Sequence, residues 1–169
     1  VSASEDDSPL ARITRFLEQI GIAPIAAALP TSTLLPGVTI SAGQLLFDRT
    51  QLTWPGDLLH EAGHIAVMPG HLRAAIDATV PESDAVPHAG EVEATAWAFA
   101  ATVAIGLDPT VLFHDGGYHG HAANLAFSYS VGSYPGAAGL QASGMTLSQP
   151  QAKALGLAPY PHMISWLRA

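Results

Sequence analysis

The apolar positions divide the chain into a few helices, one short strand region and several connections rich in glycine or proline. From Pro9 onward, Leu10, Ile13, Phe16, Leu17 and Ile20 recur at helical spacing, with Ser8-Pro9 as a start signal and Gly21 as a stop. Residues 22–37 are apolar but interrupted by Pro24, Pro30 and Pro36, which predicts irregular structure or a short helix. Residues 38–47 are rich in β-branched and aliphatic side chains in loose alternation. They predict one or two strands with a turn near Ser41-Ala42-Gly43. Thr53-Trp54-Pro55-Gly56-Asp57 opens a helix, with Thr53 or Trp54 as cap and Pro55 tolerated in the first turn. It runs through Leu58, Leu59, Ile65 and Val67 and stops at Pro69-Gly70.

Further on, Pro81, Pro87 and Gly90 make residues 71–90 a loop with a short helix over 72–78. A second strong helix covers 91–106 and ends at Gly106-Leu107-Asp108-Pro109. Residues 114–121 form a His/Gly-rich loop, and 122–130 a helix. Gly132, Gly136, Gly139 and Gly144 make residues 132–144 read as loop. Ser148-Gln149-Pro150-Gln151 has the pattern of a capping box. Residues 160–168 are expected to be helical, with Met163, Trp166 and Leu167 facing inward. The expected fold class is α+β: a mainly helical domain over residues 9–169, with a small sheet beside the helix at 55–68. Residues 1–8 are expected to be a disordered N-terminal segment.

Composition narrows the chemistry. The 169 residues suit one domain, and 49% apolar against 12% charged side chains is a globular balance. Fourteen acidic against six basic residues, with no Lys/Arg cluster, make a nucleic-acid partner a poor expectation. There is no cysteine, so disulfides and thiolate metal sites are excluded, and any metal must be held by His, Asp or Glu. Seven of the eight histidines lie between His60 and His121. The mostly apolar stretch 94–107 is too short to span a bilayer, and the acidic N-terminal segment is unlike a signal peptide. The expectation is a cytoplasmic protein with no membrane partner.

His60-Glu61-Ala62-Gly63-His64 carries the chemistry. Spacing of four on a helix puts both imidazoles on one face, where they can share one ion. Glu61 then projects toward the open side of that ion, where it can act on a water. From the chain's own composition the pattern has roughly a 1% chance of arising once at random. Ala62 and Gly63 read as small residues that leave room at the site, and the flanking apolar positions bury the helix. A tetrahedral catalytic zinc wants a third protein ligand and one open position. A third histidine six residues after His64, with a glycine midway, does not fit: positions 67 and 70 hold Val67 and Gly70, and His71 is one residue late. A carboxylate on the second helix fits better, and both Glu91 and Glu93 stand at its start.

With the stretch Glu91-Val92-Glu93-Ala94-Thr95-Ala96-Trp97-Ala98 and the closing Leu107-Asp108-Pro109, the region 53–112 resembles the ImmA/IrrE group of gluzincin-type metallopeptidases. Their second helix commonly reads Glu, two residues, Ala, Asn or Asp, an aromatic two positions later, then Ala. Those positions are Glu91, Ala94, Thr95, Trp97 and Ala98 here. The resemblance implies a zincin-like fold, Zn2+ as cofactor, His60, His64 and Glu91 as metal ligands, and Glu61 as the catalytic base. It implies a peptide or protein substrate, and it favours Glu91 over Glu93. Thr95 departs from the pattern, because the family has an amide or carboxylate there to orient a ligand, a task the Thr95 hydroxyl would perform more weakly. No helix-turn-helix segment is visible, so a repressor-cleaving role does not carry over.

A donor for the transition-state oxyanion has four candidates in the loop after the second helix: His114, Tyr118, His119 and His121. Asp57 reads as a first-turn acid that suits the helix dipole, Glu93 as a solvated or outer partner, and His71, His88 and His162 as surface or core residues. The alternative to an enzyme is a catalytically silent zinc-binding or interaction module of the same fold, with apolar surface near residues 132–144 as its partner face.

Overall fold

The structure, a computed structural model, describes residues 7–77 and 90–169. The expectations for residues 1–6 and for Pro81, Pro87 and His88 lie outside the described residues. Helix α1 (Pro9–Ile20) starts at Ser8, whose side chain accepts from the Ala11 amide, and stops at Gly21, left-handed at φ 91°. Ile13 and Leu17 on its inner face are fully buried.

Three short strands follow: β1 (Ile25–Ala26), β2 (Val38–Ser41) and β3 (Gln44–Phe47), in the order β1-β3-β2. β1 runs parallel and β2 antiparallel to β3. The irregular stretch after α1 thus contains a strand rather than a helix. Ala42 and Gly43 both have positive φ (48° and 74°), the signature of a two-residue hairpin turn matched to strand twist. Val38 pairs with Phe47 and Ile40 with Leu45, and all four are buried.

Helices α2 (Pro55–Val67) and α3 (Glu91–Ala104) form the centre of the molecule and pack on each other more extensively than any other pair of elements. Leu58, Leu59, Ala62 and Ala66 of α2, and Ala94, Trp97, Ala98 and Ala101 of α3, are fully buried. Gly63 makes the close approach: a Cβ there would lie 2.6 Å from the Ala94 carbonyl oxygen. The expectation that Ala62 and Gly63 leave room at the site is therefore corrected. The space at position 63 is filled by the backbone of α3, and Ala62 is core.

A 3₁₀ turn (Gly70–Ala75) follows α2, where a helix over 72–78 was expected. The remaining helices are α4 (Ala122–Ser130), α5 (Ala137–Ala142) and α6 (Gln149–Leu155). The capping box is formed: Ser148 donates its amide to Gln151 Oε1 at 3.0 Å. Two expectations fail. Residues 132–144 contain α5, because their glycines serve packing: a Cβ at Gly136 would strike the Val92 carbonyl, and one at Gly139 the Glu93 side chain. Residues 160–168 are not a helix. Their amides bond outward instead, Ile164 N–H to the Met145 carbonyl and Arg168 N–H to the Ala66 carbonyl, and Thr146 bridges to Met163. The inward faces hold, since Met163 is buried and Trp166 packs edge-on against Phe16 and Trp97. Among the described residues, no helix is long and apolar enough to cross a membrane.

Candidate metal centre

The site begins on α2. Trp54 precedes the helix without a side-chain capping bond, and Pro55 occupies the first turn, where a missing N–H costs nothing. Because α2 is buried on most sides, His60, Glu61 and His64 are held by a helix that packing cannot let rotate. The His60 and His64 side chains are only 12% and 16% exposed, and their Nε2 atoms stand 3.2 Å apart with the rings at 87°. His60, Glu61 and His64 form a group whose ligand atoms all lie within 4.8 Å of one another, close enough to hold one metal ion.

The α2–α3 crossing brings the first residue of α3 to the same point. Glu91 Oε2 lies 3.2 Å from His60 Nε2, and Glu91 Oε1 lies 3.5 Å from His64 Nε2. Ligand atoms around a tetrahedral zinc with bonds of about 2.0–2.1 Å stand about 3.3 Å apart, close to these separations, although each imidazole faces a different oxygen of the Glu91 carboxylate. Glu93, two residues on, points elsewhere: its carboxylate lies against Gly90 and Gly139. Of the two acids left open by the spacing, Glu91 is the one that meets the histidines.

Electrostatics follow the same geometry. The hydrogen bond with His60, then the charges of His64, His60 and His119, hold the Glu91 carboxyl down at about 2 against some burial. Burial works against protonating His60, but the Glu91 hydrogen bond and the charges of Glu61, Glu91 and Asp57 outweigh it, so its proton affinity is raised. Glu61 is 8% exposed, and burial pushes its carboxyl up to about 7, with Glu91 and Asp57 adding and His60 opposing. A carboxylate poised near neutrality is suited to general-base work.

The loop after α3 closes one side. Gly56 lets the chain at Val111–Leu112 lie on the start of α2, since a Cβ there would sit 2.0 Å from the Val111 carbonyl oxygen. That places His114 against Asp57, with Nε2 to Oδ1 at 2.9 Å and both groups buried. Trp54 stacks on the His114 ring (4.5 Å, 7°), Gly116 lies on the Trp54 indole and Gly117 on the His114 ring. Burial raises the Asp57 carboxyl, with His114 opposing. The chain then takes two consecutive left-handed residues, Tyr118 (φ 56°) and His119 (φ 51°). For residues with a side chain each of these costs roughly 1–2 kcal/mol. The turn sets the Tyr118 ring edge-on to His60 at 5.5 Å. The Tyr118 hydroxyl, buried and directed toward Thr95, makes no hydrogen bond of normal geometry.

These elements enclose a cavity of about 540 Å3. Asp57, His60, Glu61, Glu91, Thr95, Tyr118, His119 and His121 all face it. His119 and His121 are exposed at its mouth, and Thr95 is buried in its wall. His114 does not line it. Its Nε2 meets Asp57, which does face the cavity. Asp57 is the first-turn acid expected of it, and it has the His114 partner in addition. Sequence reading missed the apolar wall from Leu34, Leu35, Leu125, Tyr129 and Pro135, and missed Trp54 as the cover of His114. His71 and His162 are exposed and take no part. No family model, curated protein or solved structure matches the chain, so the functional reading rests on this geometry.

Proposed function

We propose that this chain is a zinc-dependent hydrolase that cleaves peptide bonds, with a zincin-like site of the gluzincin type. The carrying observation is the convergence of His60 Nε2, His64 Nε2 and the Glu91 carboxylate at 3.2–3.5 Å, with buried Glu61 beside them on a cavity floor. His60, His64 and Glu91 would hold the ion. A zinc bound there supplies Lewis acidity, lowering the pKa of a water to about 7 and polarising a carbonyl.

The chain's own residues account for the rest. Glu61 accepts the proton of the attacking water and returns it to the leaving amine, a double role that its raised proton affinity favours. Tyr118, whose ring lies edge-on to His60 and whose hydroxyl is directed toward Thr95 without a hydrogen bond of normal geometry, is the candidate donor to the oxyanion that develops in the transition state. His119 and His121 stand at the mouth as further donors. Leu34, Leu35, Val92 and Leu125 give the cavity apolar walls suited to a substrate side chain. None of the six Lys/Arg residues lines it, so a C-terminal carboxylate has no basic partner, and an internal bond of a polypeptide suits the site better. Leu34 and Leu35 lead into β2, an edge strand, where an extended substrate segment can add by backbone pairing.

The test is metal content together with hydrolysis of a panel of internally quenched peptides. One zinc per chain is expected, with turnover that chelator removes and Glu61→Gln abolishes while zinc stays bound. Turnover that survives Glu61→Gln, or a purified protein with no affinity for zinc, would defeat the proposal.

A further inference from the structure

The metal-binding reading leaves a buried polar assembly unexplained. Asp57 and His114 form a 2.9 Å hydrogen bond with side chains only 6% and 3% exposed, and Trp54, Gly116 and Gly117 are packed around them. Burying a carboxylate carries a penalty of several kcal/mol even when it is paired. An anchor for the loop alone needs no charge, since an apolar pair of the same shape would hold it at less cost. The position of Asp57 gives the charge a use. It lies three residues before His60, so both side chains leave the same face of α2, with Cβ atoms about 5–6 Å apart.

Three ring or carboxylate atoms of these residues are buried without a hydrogen-bond partner: Asp57 Oδ2, His60 Nδ1 and His114 Nδ1. Of the first two, one is an acceptor and the other can carry a proton. A direct bond after a small rotation, or one bridging water, spans that separation. Among the described acids that act on His60, namely Glu61, Glu91 and Asp57, only Asp57 has a buried carboxylate oxygen without a hydrogen-bond partner. Glu91 faces the Nε2 side of His60, and position 95, one turn beyond Glu91, holds a threonine whose neighbour is Tyr118.

We infer that Asp57, locked in place by His114, orients His60: it receives the Nδ1 proton of that imidazole and so keeps the Nε2 lone pair turned toward His64 and Glu91. Asp57 is a positioning residue, acting on the metal only through His60. The inference rests on His60 being a metal ligand. It explains why the loop after α3 is fastened to α2 by a charged pair: the same contact that seats Tyr118 at the cavity also steadies the first ligand.

The experiment is zinc affinity by chelator competition on the full chain, wild type against Asp57→Asn, with the melting temperature of each zinc-free protein. The amide keeps the shape and can still accept from His114, but it lacks the charge. A 10–100-fold loss of zinc affinity is expected, with melting temperatures within a few degrees of each other. Unchanged zinc affinity in Asp57→Asn, whatever happens to the melting temperature, overturns the orienting role and leaves the hydrolase reading standing. A wild-type protein that takes up no zinc overturns both. Should Asp57→Asn not fold, the wild type alone decides. In its zinc-loaded form, histidine-labelled NMR should show the His60 Nδ1 proton as a downfield, slowly exchanging signal, and exchange at the solvent rate overturns the inference.

Discussion

Where α2 crosses α3, backbone lies against backbone. Gly63 admits the Ala94 carbonyl, and the surrounding side chains are small, apolar and fully buried. Across the cavity, the loop from His114 to His121 is polar and left-handed at two side-chain-bearing residues, and its neighbourhood leaves Asp57 Oδ2, His114 Nδ1 and the Tyr118 hydroxyl buried without partners. In the proposed reading the first region would contribute the ligand atoms, and the second the groups that would meet a substrate. Ligands on packed helices hold their geometry, whereas donors on a strained loop can adjust. Three of the six buried side-chain polar atoms without a hydrogen-bond partner among the described residues thus gather on the side where chemistry would need groups free to engage.

The comparison breaks most severely at the crossing. Gly63→Leu puts a side chain into the Ala94 backbone and should destabilise the protein by about 3 kcal/mol or more, read by urea unfolding. Near-native stability would show that the helices separate easily. Next come the two acids of α3. Glu91→Ala should weaken zinc binding well beyond the roughly 10–100-fold typical of losing an outer partner, while Glu93→Ala should leave it unchanged. Equal losses in a chelator competition would move the ligand assignment off Glu91.

On the loop side, Tyr118→Phe removes a buried hydroxyl that has no hydrogen bond. Stability should stay within about 1 kcal/mol or improve, zinc content should not change, and kcat should fall about 100-fold. An unaltered kcat would take Tyr118 out of the chemistry.

The smallest effect belongs to a polar cluster that is fully satisfied, and so contrasts with the loop. Asp48 accepts from the Thr50 hydroxyl, the Leu29 and Thr50 amides and Gln51, and these bonds hold its carboxyl far below the usual carboxylate range. A depressed folded-state pKa means the folded chain resists a proton that the unfolded chain takes up below about pH 4. This stability is present above that pH and is lost as the pH falls. Melting temperature measured from pH 6 to pH 2 should therefore drop less steeply in Asp48→Asn than in the wild type. Superimposable profiles would remove Asp48 from the account.

Much of the frame was legible because it follows from local rules. The helical spacing of Ile13, Phe16 and Leu17, the Ala42-Gly43 turn, the capping box at Ser148 and Gln151, and the four-residue step from His60 to His64 are all short-range patterns. The failures are non-local. Glycines at 136 and 139 looked like loop because only the path of α3 makes them contacts for a helix. Residues 160–168 kept the right apolar positions for a helix, but their amides were claimed by Met145 and Ala66, far away in sequence. Asp57 looked like a first-turn acid and nothing more, because its partner His114 lies 57 residues on. Spacing alone leaves Glu91 and Glu93 open; the resemblance favours Glu91, and the direction in which α3 enters the crossing brings that residue to the histidines.

The contact between Gly63 and Ala94 also bears on ionic size. That backbone contact holds the helix carrying both imidazoles against the helix carrying Glu91, so in the proposed reading an incoming ion would meet closely spaced helices. Calcium, with bonds of about 2.3–2.6 Å and six to eight oxygen ligands, would have to prise the helices apart to be accommodated. Discrimination among divalent ions would then be built into the interior of the protein, at a glycine that itself offers no ligand atom.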